Sequence, residues 1–321
     1  MIPEVSVIIP LYNKGPYVER AMQSVLGQTI HNLELIVVDD GSTDDGAKIV
    51  QSYNDPRIRL IQQQNAGVSV ARNRGVAESR ADFITFLDAD DEWKPHFLET
   101  LFRLRNLFPE AGAYCTAYDI VKANGDTWKT NKTGAPFPPW EGLLPDYFLS
   151  AAMSGPSISS SSIGLGRHIF YEFGGFLTGA WYGEDNALWG RIALKYPIAF
   201  SWEVGAIYYE NALNRACSKD TPVTSHPFLE YSSKAIQNGE IREDILPGLK
   251  EYIAALRISL AARNVCLGEP KLARVFLKNC DTSLFKYQKC IWIVLSYIPP
   301  QILFLFRKVK SGLIKNCQIV N

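Results

Sequence analysis

Short apolar runs alternate with helix-spaced stretches over the first hundred residues. Val5–Ile9, Leu33–Val38, Ile58–Gln62 and Phe83–Leu87 read as strands. Between them, Lys14–Gln28, Asp44–Tyr53 and Gly67–Ser79 have helical spacing, and Tyr17, Ala21, Met22 and Val25 share one face of the first. Such alternation predicts βαβ units: an α/β fold with a mostly parallel central sheet and helices on both faces. A further helix is predicted over 96–107, stopping before Pro109, then a strand over Ala113–Val121 with a turn at Asn124-Gly125. Residues 130–165 are rich in Pro, Gly and Ser and read as a long shaping loop. Periodicity returns as a helix over Glu184–Tyr196 and a strand over Ala199–Tyr209. Past residue 225 the spacing of Leu249, Ile253, Leu256 and Leu260 is helical, and Gly268-Glu269-Pro270 ends that helix and starts another. The expected organisation is a domain over 1–225, with halves 1–110 and 111–225, and a helical extension over 226–321.

Three of the apolar runs end in polar segments. They are Pro10-Leu11-Tyr12-Asn13, Asp39-Asp40-Gly41-Ser42 and Asp88-Ala89-Asp90-Asp91. In an open α/β sheet, ligands bind beyond the carboxyl ends of the strands, so these segments are expected to converge on one crevice. The third holds three carboxylates in four residues. That concentration of like charge is costly unless a cation sits there, and a hard divalent ion shared with a diphosphate would supply it. An acidic surface turn capping the next helix is the simpler alternative.

Composition narrows the classes. Lys plus Arg is 33 and Asp plus Glu is 33, so the chain has no global basic footprint for nucleic acid. Hydrophobic residues make up 47%, enough for a substantial core. The six cysteines are scattered without a C-x-x-C pair, as expected for free thiols in a reducing compartment. No signal peptide is read at the start, which gives an expected cytoplasmic site of action. The first strand is not followed by G-x-G-x-x-G or a P-loop, which argues against a nicotinamide dehydrogenase and a P-loop enzyme. Nor does it carry the Gly-rich basic loop of a sugar nucleotidyltransferase. Near the end, Ile291–Phe306 is almost wholly apolar but contains Pro299-Pro300. As a helix it would reach roughly 24 Å, short of a ~30 Å hydrocarbon core. Lys286, Lys289, Arg307, Lys308, Lys310 and Lys315 flank it. Peripheral contact of 284–315 with an anionic membrane surface is expected, with burial as a C-terminal helix the alternative.

Taken in order, five motifs carry a resemblance. They are Val5–Asn13, Asp39–Asp44, Gly67-Val68-Ser69-Val70-Ala71-Arg72-Asn73-Arg74-Gly75, Phe86–Asp91 and Gly183-Glu184-Asp185. Together they resemble family 2 inverting glycosyltransferases over roughly residues 4 to 215. The resemblance implies the Rossmann-like nucleotide-diphospho-sugar transferase fold (glycosyltransferase A-type). It also implies a metal-dependent transfer, with Mn²⁺ or Mg²⁺, from a nucleotide-diphospho-sugar donor to a saccharide or lipid-linked saccharide acceptor. Cell-surface polysaccharide or glycolipid synthesis at the inner face of the membrane is the expected setting.

The resemblance also assigns residues. Pro10, Tyr12 and Asn13 would line the nucleoside pocket, Asp40 would read the base, and Asn65, Gly67 and Arg72 would contact the nucleotide. Asp88 would take the ribose, Asp90 the metal, and Asp91 would be a second metal ligand. Asp185, with Glu184 as second choice, would be the general base that removes the acceptor hydroxyl proton. Each has a plainer alternative: helix capping for Asp40, Ser42, Thr43 and Glu184-Asp185, and a solvated helix face for Arg72 and Arg74. Gly174-Gly175-Phe176 resembles an acceptor-side turn, and Trp181 and Tyr182 are equally a sugar floor or core. One departure stands out. Many relatives carry a histidine near the segment Tyr208–Ser218, and this chain has none there. Arg215 facing the diphosphate, or Glu210 reaching the metal, would fill its place. The four histidines, His31, His96, His168 and His226, share no metal-like spacing. A nucleotide-sugar-binding subunit of a membrane assembly, without catalysis, is the competing expectation.

Overall fold

The computed structural model describes residues 2–129, 134–154, 158–213, 215, 220–299 and 301. Its first four strands are β1 (Val5–Leu11), β2 (Leu33–Asp39), β3 (Ile58–Gln62) and β4 (Phe83–Phe86), joined by α1 (Gly15–Leu26), α2 (Gly46–Gln51) and α3 (Val68–Ala77). All their pairings are parallel, and β1 and β2 are buried almost throughout. Continuous apolar runs are what strands covered on both faces require. Close packing of α3 on β1 depends on Gly75: a Cβ there would lie 2.4 Å from Ile8 Cγ2.

The chain continues through β5 (Glu92–Trp93), α4 (Phe97–Leu107), β6 (Ala113–Val121), β7 (Thr127–Lys129) and β8 (Glu141–Leu143). Then follow α5 (Tyr147–Ser154), β9 (Ile163–Gly166), α6 (Arg167–Glu172), α7 (Glu184–Lys195) and β10 (Ile198–Tyr209). The sheet runs β3-β2-β1-β4-β9-β6-β10-β5, with β7 on β6 and β8 on β10. β9 is antiparallel to both β4 and β6, while β10 is parallel to β6. β1, β2, β3, β4, β6 and β10 therefore point the same way, and their carboxyl ends form one edge. β10 is kinked by register shifts between Ser201 and Ala206.

These elements, apart from α5, lie in a compact unit of Met1–Thr130, Pro136–Leu144 and Ile158–Cys217. Its core gathers Val5, Val7, Ile9 and Leu11 of β1, Val18 and Met22 of α1, and Phe97 and Leu101 of α4.

A second compact unit takes Asn131–Ala135, Pro145–Ser157 and Ser218–Asn321. Besides α5 it contains α8 (Pro227–Gln237), α9 (Leu246–Cys266), α10 (Pro270–Lys278) and α11 (Lys286–Leu295). The stretch 130–165, expected as one long loop, is thus divided between short elements of the two units. The apolar sequence of α5 explains the difference: Phe148 stacks on Phe228 at 6.0 Å and meets Tyr252 at 5.8 Å. Burial of that ring cluster stabilises a helix too short to form alone. Among the described residues, no helix is long and apolar enough to cross a membrane. The expected apolar tail is described only as far as residue 299 and residue 301; the rest lies outside the described residues.

Candidate functional site

The turn after β2 is built by carboxylates that accept from the backbone. Asp39 Oδ1 accepts from Ser42 N–H at 3.0 Å. Asp40 is 3% exposed; its Oδ1 accepts from Gln63 Nε2 (2.8 Å) and Ala66 N–H (2.9 Å), and its Oδ2 from Gly67 N–H (2.8 Å). Asn65 donates its side-chain amide to the Asp40 carbonyl at 3.0 Å. Asp40 thus organises the approach to α3, where Gly67 takes φ +93°, a left-handed value open to glycine. Asp44 ties two helix starts, accepting from Gly15 N–H at 2.7 Å and from Gly46 N–H at 3.0 Å. Because its side chain makes these bonds, α2 begins at Gly46 rather than at Asp44.

Beyond β1, Asn13 adopts φ +51° and its Oδ1 accepts from Thr43 N–H at 2.8 Å, while its own N–H donates to Ser42 Oγ at 3.0 Å. Two strand-end segments are thereby joined. Pro10 is half-buried and Tyr12 is 47% exposed beside them.

After β4 the carboxylates meet cations. Arg72, on α3, donates to Asp88 Oδ1 at 2.6 Å and to Glu184 Oε1 at 3.1 Å, with its side chain 4% exposed. Burial works against its charge, but Asp88 and Glu184 more than offset this and hold the guanidinium firmly protonated. Asp90 Oδ2 accepts from the Lys14 ammonium at 2.6 Å. Asp91 has a different placement from its neighbours. It is 1% exposed, and its carboxylate accepts from Ser161 Oγ (2.6 Å) and from Tyr209 N–H (3.2 Å). Its own N–H closes a turn onto the Asp88 carbonyl, with the side chain turned inward to β10. Burial, then repulsion from Asp88 and Asp90, pushes its carboxyl well above the usual range. The structure therefore pairs Asp88 and Asp90 with cations, whereas Asp91, the expected second metal ligand, is buried against Ser161 and Tyr209.

Gly183 (φ +73°) precedes α7, whose first residues are Glu184 and Asp185. Burial, then the adjacent Asp185, raises Glu184 to about 7. Burial also raises Asp185, opposed by Arg72 and by the Asn186 N–H that its Oδ1 accepts at 2.7 Å. Both carboxyls are thus more basic than ordinary ones. The preceding turn is held by residues the sequence reading passed over. Asn73 bonds both main-chain groups of Phe176, at 2.8 and 3.0 Å. Arg191 is buried and donates to the Phe173 and Gly175 carbonyls at 2.6 and 2.7 Å. Asn73 adjoins Arg72 in its motif, which was the available signal; an arginine inside an apolar helix was the signal for Arg191. Trp181 and Tyr182 are half-buried with ring centroids 5.6 Å apart.

The two candidates for the missing histidine's place both have protein partners. Glu210 pairs with Lys122 at 2.9 Å, and Arg215 donates to the Glu210 carbonyl and the Tyr208 hydroxyl. Lys14, which the sequence reading did not single out, is the cation on Asp90.

The glycosyl transferase family 2 model matches residues 6–160. "Uncharacterized glycosyltransferase YibD" of Escherichia coli is 42% identical over 132 residues, 40% of this chain and 38% of that protein. The chain thus covers well under half of that relative's length. "GalNAc(5)-diNAcBac-PP-undecaprenol beta-1,3-glucosyltransferase" of Campylobacter jejuni is 26% identical over 98% of this chain and 100% of its own length. Among solved structures, a mannosyltransferase from Pyrobaculum calidifontis in complex with GDP-Man and Mn²⁺ has the same fold. It superposes with a TM-score of 0.60 at 18% identity, covering 97% of this chain and 88% of its own.

Proposed function

From the premise that residues 6–160 are a glycosyl transferase family 2 domain, we propose that the chain moves a sugar from a nucleotide-diphospho-sugar to an acceptor hydroxyl, with inversion at the anomeric carbon. The observation that carries this reading is the Arg72 bridge. One buried guanidinium joins Asp88, beyond the end of β4, to Glu184, at the start of α7. Donor-side and base-side carboxylates thereby belong to one charge network.

In this reading Asp40 accepts from the base with the capacity its three protein donors leave, since an ionised carboxylate has about four lone-pair sites. Pro10, Tyr12 and Asn13 line the nucleoside, Tyr12 offering an exposed ring to stack on the base. Asn65 and Gly67 shape the turn beneath it, and Asp88 takes the ribose. Arg72 acts through Asp88 and Glu184, holding both in place. Asp185 takes the acceptor hydroxyl proton, with Glu184 as the second choice. Raised basicity suits that task, because proton transfer is most efficient with a pKa near the working pH.

The residues present fit a hard divalent cation, Mn²⁺ or Mg²⁺. Asp90 is an oxygen donor that already attracts an ammonium at 2.6 Å. Among the described residues, no group of three or more His, Cys, Asp or Glu side chains gathers to hold a metal. Asp90 would therefore hold the cation together with the donor's phosphates, a common arrangement for Mg²⁺. When bound, the cation neutralises charge on the departing diphosphate.

A lipid-linked saccharide is the acceptor this reading favours, made at the inner face of a membrane. The name of the Campylobacter relative supports it. So does α11, in which no residue is buried and Tyr287 and Val294 are 77% and 63% exposed. Contact through 284–315 would hold the chain at the surface where such an acceptor lies.

Release of nucleoside diphosphate from a panel of UDP- and GDP-sugars, with Mn²⁺ or EDTA, tests the reading. Turnover is expected with Mn²⁺ and not with EDTA. Asp185→Asn is expected to lose about 10²–10⁴-fold in transfer, with nucleotide binding nearly unchanged. Undiminished turnover in EDTA refutes the metal, an active Asn variant refutes the base, and no turnover with any donor refutes the activity.

A further inference from the structure

Lys14 has no part in the reading above, yet its ammonium holds a central place. It donates to Asp90 Oδ2 and to the Leu213 carbonyl, each at 2.6 Å. The Lys14 and Asp90 side chains are 11% and 15% exposed. Leu213 is tied to α1 a second time, its N–H donating to the Tyr17 hydroxyl at 3.1 Å. Further along α1, Arg20 donates to the Asp90 carbonyl and stacks on the Tyr209 ring, 3.6 Å from its centroid. Two cations, Lys14 just before α1 and Arg20 on it, thus serve the same aspartate, Arg20 its main chain and Lys14 its carboxylate.

A charge pair this poorly hydrated is favourable only while both partners have one. A divalent cation on Asp90 would compete with Lys14 for the same oxygen, and the evicted ammonium would need a new anion. A donor diphosphate is such an anion, and lysine is a common phosphate ligand. Resting on the donor-site reading, we propose that Lys14 is a resident counter-ion of Asp90 that exchanges onto the donor's diphosphate. Asp90 is then opened to a divalent cation only as the diphosphate arrives. Metal and nucleotide binding are coupled through this exchange, and such coupling is reciprocal.

Isothermal titration of the full chain tests the exchange with three probes: Mn²⁺ alone, UDP or GDP in EDTA, and each nucleotide with Mn²⁺. In Lys14→Gln, Asp90 has no competing ammonium, so Mn²⁺ alone is expected to bind about tenfold tighter than in wild type. In the same variant Mn²⁺ is expected to raise the affinity for UDP or GDP about tenfold less than it does in wild type, the EDTA titration giving the metal-free reference. Lys14→Arg keeps the charge and is expected to retain most of that coupling, which separates lost charge from lost folding; circular dichroism confirms that both variants fold. An unchanged Mn²⁺ affinity in Lys14→Gln, or an unchanged effect of Mn²⁺ on nucleotide affinity, overturns the exchange while leaving the donor site standing. If wild type binds neither nucleotide under any of these conditions, the donor-site reading fails, and this role of Lys14 fails with it.

Discussion

The turns after β2 and β4 both carry aspartates at the carboxyl edge of one sheet, but they satisfy them differently. Asp39, Asp40 and Asp44 accept mainly from main-chain N–H groups of their own or neighbouring turns. Asp88 and Asp90 accept from the side chains of Arg72 and Lys14. Main-chain donors are fixed once the chain folds, so the first turn is a rigid frame. Side-chain cations can move or be exchanged, so the second is suited to a ligand that brings its own charge. The contrast teaches that an acidic motif is not one kind of object: main-chain donors tie a carboxylate to the backbone, and side-chain cations leave it a partner that can be exchanged.

The strongest way to break the contrast is to remove the cation that joins the second turn to α7. Arg72→Met leaves Asp88 and Glu184 without their shared partner, and loss of one member of a buried ion network costs about 3–5 kcal/mol. Urea denaturation is expected to show the midpoint falling accordingly; an unchanged midpoint would mean the network carries little. On the first turn, Asp40→Asn exchanges one accepting oxygen for an amide that cannot accept. At least one of the donors from Gln63, Ala66 and Gly67 then lacks an acceptor, at roughly 1–3 kcal/mol. Its expected mark is a lower melting temperature with or without Mn²⁺, whereas a loss seen only with nucleotide present would place Asp40 among the exchangeable carboxylates.

The smallest effect concerns pH. Burial and then Asp185 hold Glu184 at about 7, against an ordinary value of 4.5. Between these values the folded chain keeps a proton that the unfolded chain has lost. Stability from this group is therefore present at low pH and declines as pH rises from 4.5 through 7. Glu184→Gln has no such proton to lose. Its melting temperature is expected to fall less than that of wild type between pH 5 and 8, by a few degrees, at about 2–4 °C per kcal/mol. Parallel curves would show that Glu184 is not raised.

The strands and the order of the acidic segments were readable because both are local signals: runs of apolar residues and the residues that follow them. β1, β2 and β3 lie within a residue or two of the spans expected from alternation. The fate of Asp90 and Asp91 was not readable. They are adjacent and chemically identical, and what separates them lies far along the chain: Ser161 and Tyr209 for Asp91, Lys14 for Asp90. Lys14 reads only as the first residue of a helix-spaced stretch. Arg72 stood out by its motif but not as a bridge, because Glu184 is 112 residues away. In 130–165, frequent Pro, Gly and Ser hid α5, whose stability comes from rings on α8 and α9.

Asp44 has a practical consequence for anyone re-engineering the turn after β2. A loop transplant that swaps residues 39–43 for those of a relative would seem self-contained. Yet the carboxylate at 44 sets where both α1 and α2 begin, and with α1 it sets the lever arm that presents Lys14. A chimera cut just before Asp44 keeps that anchor; one cut just after it must import an equivalent, or the graft will disturb a residue it never touched.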